Sequence, residues 1–341
     1  MSVFGLDIGS TSTKIIQLEK AGDRFRVVTV GIAPTAQSGF GSESESDLVK
    51  LAAALKKLHQ DARVTTKRVV TALPEGQVFT RVIEMPQMSE NEASQAILWE
   101  AEQFIPRPLS EVEIDWQIVS PGGVMADKKV EQMKVLLVAA PKVLIQKYLK
   151  VLGMAGFEIA ALETEVVALA RALIPSSAAP TLLVDFGAQT TDMAIIAKGQ
   201  VLLTRSIPTA GEAFTRAVST ALSLEPSQAE EYKRAYGLGE NKLEGKVRQA
   251  LTPILEVAAT EIKKAFQFWK EREKEAVRSV ILSGGSANLP EVSTYLTRSI
   301  GIEVQIADPF SSLDVSEKMT SAFKGQTPVF AIAVGLAEKE V

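Results

Sequence analysis

Two stretches of the chain carry the residue types that bind phosphate. Residues 182–196, LLVDFGAQTTDMAII, set a turn of Asp, Gly, Gln and Thr between two apolar runs, and residues 3–16, VFGLDIGSTSTKII, set Asp, Gly, Ser and Thr between another two. Glycine tolerates positive φ, so consecutive N–H groups of such a turn can point inward and form a nest for an anion. The hydroxyls add donors, and a strand-end aspartate suits the coordination sphere of a Mg²⁺ ion that bridges phosphate oxygens.

These stretches form an internal repeat, in which Asp7 aligns with Asp185 about half the chain further on. For one copy, a β-hairpin whose turn uses Gly, Ser and Thr for conformational reasons alone is an equally good interpretation. Two copies at half-chain spacing favour a duplicated structure. Two facing hairpins of this kind would hold a polyphosphate from both sides.

The composition excludes several kinds of site. The 341 residues include 37 Lys and Arg against 41 Asp and Glu, for a net charge of −4, so we expect no nucleic-acid surface. Cysteine is absent and His59 is the single histidine, which excludes thiolate and histidine-cluster metal sites. The start MSVFGLDIGS does not have the pattern of a signal peptide, and no apolar run reaches the ~18 residues of a spanning helix. We therefore expect a cytoplasmic protein without direct membrane insertion.

Strand and helix patterns repeat on either side of the middle of the chain. After the first hairpin, a strand at 25–32, a polar loop at 35–46, a helix with apolar positions between 48 and 58 and a strand at 68–73 predict a β-β-β-α-β order. The second half repeats the three-strand meander over 182–207. The other predicted elements are helices at 163–174, 211–222 and 225–237, a long helix opening at Thr252-Pro253, a strand at 280–282, the turn SGGSANLP, a helix at 290–300, a strand at 303–306 and a helix at 328–338.

The segment between the halves has a pattern of its own. A strand at 78–84, a helix opened by the capping box of Ser89 and Glu92, two strands around a loop at 120–129 and a helix ending near Gly156 follow one another. This β-α-β-β-α order predicts a small α/β subdomain inserted into the first domain.

Three of these features together resemble the actin, Hsp70 and sugar kinase ATPase superfold: the duplicated hairpins, the E-x-x-K helix at Glu230 and Lys233, and the turn SGGSANLP. The resemblance spans nearly the whole chain. It implies an α/β fold class, a duplicated actin-like ATPase fold with an inserted FtsA-type 1C subdomain. The implied subdomains are 1A at 1–80 and 158–180, 1C (SHS2-like) at 81–157, 2A at 181–210 and 278–341, and 2B at 211–277.

The same resemblance implies that the cleft binds ATP and Mg²⁺. The implied phosphate-binding residues are Asp7, Gly9, Ser10, Thr11 and Lys14 in the first hairpin, and Asp185, Gly187, Thr190, Thr191 and Asp192 in the second. The implied nucleoside-binding residues are Gly211, Glu212, Glu230, Lys233, Gly284, Gly285, Ser286 and Asn288. Asp7 and Asp185 would hold Mg²⁺ through water, and Glu165 would position the attacking water as the catalytic residue.

One departure from the superfold concerns the second hairpin. Relatives often have Asp-x-Gly-Gly-Gly-Thr there, whereas Ala188 and Gln189 stand in this chain. Side chains in the nest narrow it, so we expect nucleotide binding to survive and hydrolysis to be slow.

The insertion separates the branches of the superfold. Its position and its β-α-β-β-α content look like FtsA and the PilM family of type IV pilus assembly proteins, and VVTALPEGQVFTRVIEMP, ILWEAEQFIP, LETEVVALARAL and LLVDFGAQTTDMAII look closer to PilM. FtsA-like proteins continue to an amphipathic membrane anchor, whereas this sequence stops at Val341, which also favours PilM. The resemblance implies that the N-terminal tail of the inner-membrane protein PilN docks at the insertion and recruits the protein to the membrane. Other pilus assembly proteins, including the assembly ATPase, are further implied partners.

Two other functions remain open at this stage. A small-molecule kinase of the same superfold would transfer a phosphoryl group to a hydroxyl compound, but no acidic residue in a plausible sugar-facing loop suits its base. A filament former similar to FtsA or MreB would sediment in the presence of ATP. The superfold alone does not separate these functions from a pilus assembly role, in which nucleotide biases domain closure and partner binding.

Overall fold

The computed structural model describes residues 2–36, 39–120, 123–124, 130–240, 242–273 and 275–341. The predicted loop at 120–129 lies largely outside these ranges, as do residues 37 and 38 of the loop predicted at 35–46.

The first half and the insertion follow the predicted order of elements up to the helix that ends near Gly156, but the strand after that helix, Glu158–Thr164, was not predicted. The first half opens with β1 (Phe4–Ile8), β2 (Ser12–Ala21), β3 (Arg24–Pro34), α1 (Glu45–Asp61) and β4 (Arg68–Leu73). There follow β5 (Phe79–Met85), α2 (Glu90–Phe104), β6 (Val112–Ser120), β7 (Gly123–Val124), β8 (Val130–Glu131), β9 (Met133–Pro141), α3 (Lys142–Ala155), β10 (Glu158–Thr164) and α4 (Glu165–Leu173). The predicted helix at 163–174 therefore begins two residues later, because Glu163 and Thr164 extend β10 alongside β4.

The second half contains β11 (Thr181–Phe186), β12 (Thr191–Ala197), β13 (Gln200–Ile207), α5 (Gly211–Leu222), α6 (Pro226–Tyr236), α7 (Lys246–Arg272), β14 (Ser279–Ser283), α8 (Val292–Ile300), β15 (Val304–Ile306), α9 (Glu317–Ala322) and α10 (Ala331–Ala337). Helix α9 was not predicted, and the predicted helix at 328–338 opens as a 3-10 turn, Thr327–Phe330, before α10.

The two halves have the same sheet topology, which confirms the predicted duplication. In the first half the strand order is β10-β4-β1-β2-β3, and in the second it is β15-β14-β11-β12-β13. In each sheet an antiparallel meander is extended by strands parallel to its first strand. The parallel additions follow helical crossovers, as a parallel pair requires. Strands β1 and β11 lie near the centre of their sheets and are buried along their whole length.

Helices α4 and α10 lie between the two sheets. Their buried residues form one apolar cluster with Leu183 and Ile196 of the second sheet. The packing brings backbones close together: a Cβ at Gly335 would lie 1.9 Å from the carbonyl oxygen of Ala168, and a Cβ at Gly5 would lie 2.2 Å from that of Ala333. Both positions therefore require glycine, and the contact holds α10 against α4 and β1.

The insertion is built on a three-stranded antiparallel sheet of order β5-β9-β6, covered by α2. Helix α2 opens with the predicted capping box of Ser89 and Glu92 and packs on the sheet through its buried face, which includes Ile97. Helix α3 instead joins the core of the first half, where Tyr148 is fully buried and stacks on Phe40. The part of the insertion that has a core of its own therefore comprises β5, α2, β6 and β9. We call its three strands the inserted sheet.

The prediction for the start of the long helix was wrong. Helix α7 begins at Lys246, and Pro253 lies inside it. A proline inside a helix removes one backbone hydrogen bond and its ring crowds the carbonyl group four residues earlier, so a helix that continues through it needs support from packing. The turn before it is fixed by the buried side chains of Val247 and Leu251, and Thr252 Oγ1 donates a hydrogen bond to the Arg248 carbonyl oxygen at 2.9 Å.

Among the helices that the structure describes, none is long and apolar enough to cross a membrane.

Candidate nucleotide site

A cavity with a volume of about 1000 Å³ lies between the two sheets. Its walls are the turns of both hairpins, the start of α4, helices α5 and α6, and the turn after β14. The predicted site residues on these walls are Asp7, Gly9, Ser10, Thr11, Lys14, Glu165, Asp185, Gly187, Thr190, Asp192, Gly211, Glu212, Glu230, Lys233, Gly284, Gly285, Ser286 and Asn288. Segments that are far apart in the chain therefore meet at one cavity, as the duplication predicts.

The structure does not bring Thr191 to this cavity. Its side chain is fully buried, and its Oγ1 donates a hydrogen bond to the Thr209 carbonyl oxygen at 2.6 Å. Successive residues of a strand point to opposite faces. Because Asp192 faces the cavity, Thr191 must face away from it.

The first hairpin carries a buried ion pair. Asp7 and Lys14 are directly opposite on β1 and β2, and Lys14 Nζ lies 2.9 Å from Asp7 Oδ2. In the turn, a Cβ at Gly9 would lie 3.0 Å from the Ser12 carbonyl oxygen and 3.1 Å from Lys14 Nζ. A side chain at this position would press on the ammonium group, so the tight turn depends on glycine.

The second hairpin carries two acids where the first carries an acid and a base. Asp185 and Asp192 are directly opposite on β11 and β12. Asp185 Oδ1 accepts a hydrogen bond from Ser283 Oγ at 2.6 Å, and Asp192 Oδ2 accepts one from Thr190 Oγ1 at 2.8 Å. The pKa of Asp185 is raised to about 6, mainly by burial and also by the carboxylates of Asp192 and Asp7, against the opposing effects of Ser283 and Lys14. This wall of the cavity concentrates negative charge that a cation would relieve.

Backbone forms much of the wall beside the second hairpin. Gly284 has φ +81°, and a Cβ there would lie 2.4 Å from the Phe186 carbonyl oxygen and 2.9 Å from Asp185 Oδ1. The N–H of Gly211, at the start of α5, donates a hydrogen bond to the Gly187 carbonyl oxygen at 3.1 Å, and a Cβ at Gly211 would crowd that oxygen and Ser286 Oγ. The glycines thus let three chain segments converge, and they leave backbone open to a ligand.

Helices α5 and α6 are joined by a polar cluster at the far wall. Lys233 Nζ lies 2.6 Å from Glu230 Oε2, and it donates hydrogen bonds to Thr215 Oγ1 at 2.9 Å and to the Gly211 carbonyl oxygen at 3.1 Å. Burial lowers the pKa of Lys233, although Glu230 opposes this effect. The predicted nucleoside-binding pair is therefore in direct contact, and Thr215, one helical turn after Gly211, links Lys233 to α5.

Glu165 is the first residue of α4, and it lies in the wall of the cavity. Its Oε2 accepts a hydrogen bond from the backbone N–H of Glu75 at 2.9 Å. Burial raises the pKa of Glu165 well above its ordinary value, and the carboxylates of Asp192 and Asp7 add to this effect. A carboxyl group with a raised pKa, fixed in position, suits the orientation of water or the acceptance of a proton.

Several residues of the site were not predicted. Helix α5 contributes Thr215, Arg216 and Ser219 to the cavity wall. These residues follow Gly211 and Glu212 at helical spacing, which places them on the same face of α5, so the spacing would have indicated them. By contrast, no pattern in the sequence places Glu75 behind Glu165, because the two residues are close only through the tertiary fold.

No group of three or more Asp, Glu or His side chains within the described ranges is placed to hold a metal ion by itself. Mg²⁺ is commonly held by one or two carboxylates together with phosphate oxygens and water. The residues present at the second hairpin, Asp185 and Asp192, fit this donor set.

Comparison with known proteins identifies the fold. The sequence profile of the family described as type IV pilus assembly protein PilM matches residues 5–341. The cell division protein FtsA of Bacillus subtilis is 22% identical over 354 residues, with 89% of this chain and 78% of that protein covered. FtsA of Pseudomonas aeruginosa is 24% identical over 380 residues, with 98% and 88% covered.

Two solved structures extend the comparison. A structure of a PilM-PilN type IV pilus biogenesis complex superimposes with a TM-score of 0.83 at 27% identity, covering 99% of this chain and 98% of that one. MreB5 of Spiroplasma citri, solved with bound AMPPNP, has a TM-score of 0.53 at 14% identity, with 98% and 94% covered, and is similar in fold alone. The fold is therefore that of the actin-like ATPases with an FtsA-like inserted subdomain.

Proposed function

Because the chain belongs to the PilM family of type IV pilus assembly proteins, we propose that it binds ATP in the cavity between its two sheets and links nucleotide state to assembly of the pilus machinery. The observation that carries this proposal is the convergence of both hairpins, the Gly284 turn and helices α5 and α6 on one cavity of about 1000 Å³. That volume lies at the upper end of the range for ligand sites and suits a nucleotide.

Each wall has a distinct role in the proposed complex. The hydroxyls of Ser10, Thr11 and Thr190 and the backbone of the two turns donate to the phosphates, with Lys14 adding positive charge. Glu230 and Lys233 flank the adenine and ribose, and the glycine turn at Gly284 lets the backbone approach the nucleoside. These assignments rest on the position of the residues around the cavity.

Mg²⁺ would be held by Asp185 and Asp7 through water, with Asp192 beside them, and when bound it supplies charge neutralisation at the β and γ phosphates. Glu165 orients water toward the terminal phosphate. Ala188 and Gln189 line the cavity in the turn of the second hairpin. Their side chains narrow the space beside that turn, so hydrolysis is slow and nucleotide acts mainly by holding one state of the cleft.

The proposed partner is the N-terminal tail of PilN, which docks at the insertion and holds the protein at the inner membrane from the cytoplasmic side. The similarity to the PilM of a PilM-PilN complex over nearly the full length of both chains supports this partner. Other pilus assembly proteins, including the assembly ATPase, contact the protein in the assembled machine. For nucleotide to affect docking, it must bind one closure state of the cleft more tightly than the other.

Calorimetric titration with AMPPNP, with and without Mg²⁺, tests the nucleotide site. We expect one-to-one binding that requires Mg²⁺, and a loss of at least about tenfold in affinity for Asp185→Asn because a ligand of the ion is removed. Asp23→Asn is the matched control, since Asp23 is exposed in the turn between β2 and β3. Absence of binding in the wild type, or equal affinity in Asp185→Asn, would refute the site.

A further inference from the structure

The turn Glu75–Gln77, which we call the junction turn, connects the first sheet to the inserted sheet. It follows β4 directly and leads within two residues into β5. The turn lies close to the second hairpin and to β13, since a Cβ built at Gly76 would lie 3.2 Å from Thr190 Cγ2 and 3.7 Å from Ser206 Oγ. The same turn holds Glu165 through the Glu75 N–H. One short segment therefore adjoins the proposed catalytic carboxylate, a proposed phosphate-binding hairpin and the insertion.

The inserted sheet also contacts the second half directly. Thr204 Oγ1 on β13 donates a hydrogen bond to the Thr80 carbonyl oxygen on β5 at 2.8 Å. On the next strand of the inserted sheet, Lys134 forms an ion pair with Glu273, which follows α7. A second cavity of about 250 Å³ lies between β5 and β13, with Glu75, Thr204 and Ser206 in its walls. The insertion therefore contacts both halves of the molecule, and its position depends on the orientation of the two halves relative to each other.

The buried side chain of Glu75 lowers the local stability of this contact region. The residue is 5% exposed, and its Oε2 has no hydrogen-bond partner among the described residues. The pKa of Glu75 is raised to about 7, mainly by burial and also by the Asp192 carboxylate. A buried carboxyl oxygen without a hydrogen-bond partner is unusual in folded proteins, and regions of reduced local stability are the ones that move between states.

We infer that the junction turn and the β5–β13 contact transmit the position of the second phosphate hairpin to the inserted sheet, so that nucleotide in the cleft alters the surface that the insertion presents. In this route, bound nucleotide holds Thr190 in one position, Thr190 lies against Gly76, and the junction turn sets the position of the start of β5. This inference rests on the proposed nucleotide site. It adds the route by which that site reaches the insertion.

Hydrogen–deuterium exchange with and without Mg-AMPPNP tests the route. In the wild type we expect protection of residues 3–16 and 182–196, which form the site, and also a slowing of about threefold or more in residues 79–105 of the insertion. In Thr204→Val, which removes the bond to Thr80, and in Gly76→Ala, which presses on Thr190, the hairpins remain protected but the slowing in the insertion falls by half or more.

Two matched control variants show whether an effect comes from the altered contact or from the type of substitution. Thr260→Val removes an exposed hydroxyl on α7, and Gly153→Ala adds a methyl group with no atom within 4 Å. Both should respond to nucleotide as the wild type does. A slowing in the insertion that is unchanged in Thr204→Val and Gly76→Ala would overturn the inference, as would wild-type hairpins that are protected while the insertion is unaffected. Unprotected wild-type hairpins would overturn the nucleotide site itself and the inference with it.

Discussion

Asp185 lies directly opposite Asp192 across β11 and β12, at the position where Asp7 faces Lys14 in the first half. The duplicated hairpins therefore differ in charge, since the first is internally neutralised and the second is not. Like charges directly opposite each other in a sheet destabilise it. The second hairpin is thus the place where a bound cation has most to contribute.

Asp192→Asn should stabilise the ligand-free protein, by about 1 kcal/mol, because it removes one of two facing acids. Burial raises the pKa of Asp192, which means that its charged form is disfavoured in the fold. Urea unfolding at pH 7.5 measures the change, with Asp23→Asn as the exposed control. The same variant should weaken Mg-AMPPNP binding, and a variant that is destabilised in the absence of ligand would contradict the proposed repulsion.

Lys14→Met should destabilise the protein by about 3 kcal/mol, because it leaves the Asp7 carboxylate buried without its partner. The double variant Asp7→Asn/Lys14→Met removes the stranded charge and should recover most of that stability, while both variants lose nucleotide affinity. Thermal and urea unfolding measure the stability. Lys20→Met is the matched control, since Lys20 pairs with Glu340 at the surface and its loss should matter little. Equal stability of the single and double variants would argue against a buried pair.

Glu165→Gln separates binding from turnover. The amide keeps the shape of the side chain and can still accept the Glu75 N–H, so AMPPNP affinity should stay within about twofold. Slow hydrolysis of ATP, followed as phosphate release in single turnovers, should fall by about 100-fold, because a group that orients water contributes on that scale. Unchanged hydrolysis would remove Glu165 from the reaction.

Glu75→Gln should stabilise the protein in a pH-dependent way. The pKa of Glu75 is raised from 4.5 to about 7 in the fold. The wild type therefore loses stability as pH rises from about 4.5 to about 7, since the folded state binds a proton that the unfolded state has released. The gain from the amide should be near zero at pH 4 and as much as about 3 kcal/mol at pH 8, at about 1.4 kcal/mol for each tenfold change in proton affinity.

Urea unfolding across that pH range measures the gain. Glu231→Gln, an exposed change on α6, is the control and should give no such slope. A gain for Glu75→Gln that is independent of pH would mean that the Glu75 carboxyl is not the group that titrates.

The duplication could be predicted because it depends on local patterns, whereas the cavity residues outside the two hairpins were implied by the resemblance to the superfold. The Asp-Gly-hydroxyl turns place Asp7 and Asp185 by strand alternation, and the glycine turn at Gly284 follows from composition alone. Thr191 was wrongly placed although the same alternation, applied to Asp192, points it into the core. Proline was treated as a helix start at Pro253, whereas buried residues before it extend α7 by two turns.

Contacts between distant segments could not be predicted. Ser283 donates a hydrogen bond to Asp185 because β14 pairs in parallel with β11 in one particular register. The spacing of residues in the sequence does not indicate that register. Glu75 lies behind Glu165 for the same kind of reason. The polar partners that tune the site therefore required the structure, which also showed the further cavity residues Thr215, Arg216 and Ser219.

Calorimetric titration of a peptide from the N-terminal tail of the PilN protein of the same organism, with and without Mg-AMPPNP, tests the central claim most directly. We predict saturable one-to-one binding whose affinity changes by about threefold or more with nucleotide, and loss of that dependence in Asp185→Asn while the peptide still binds. Absence of peptide binding in both states would contradict the proposed role in pilus assembly. ATP-dependent sedimentation of the protein would then indicate a filament former instead.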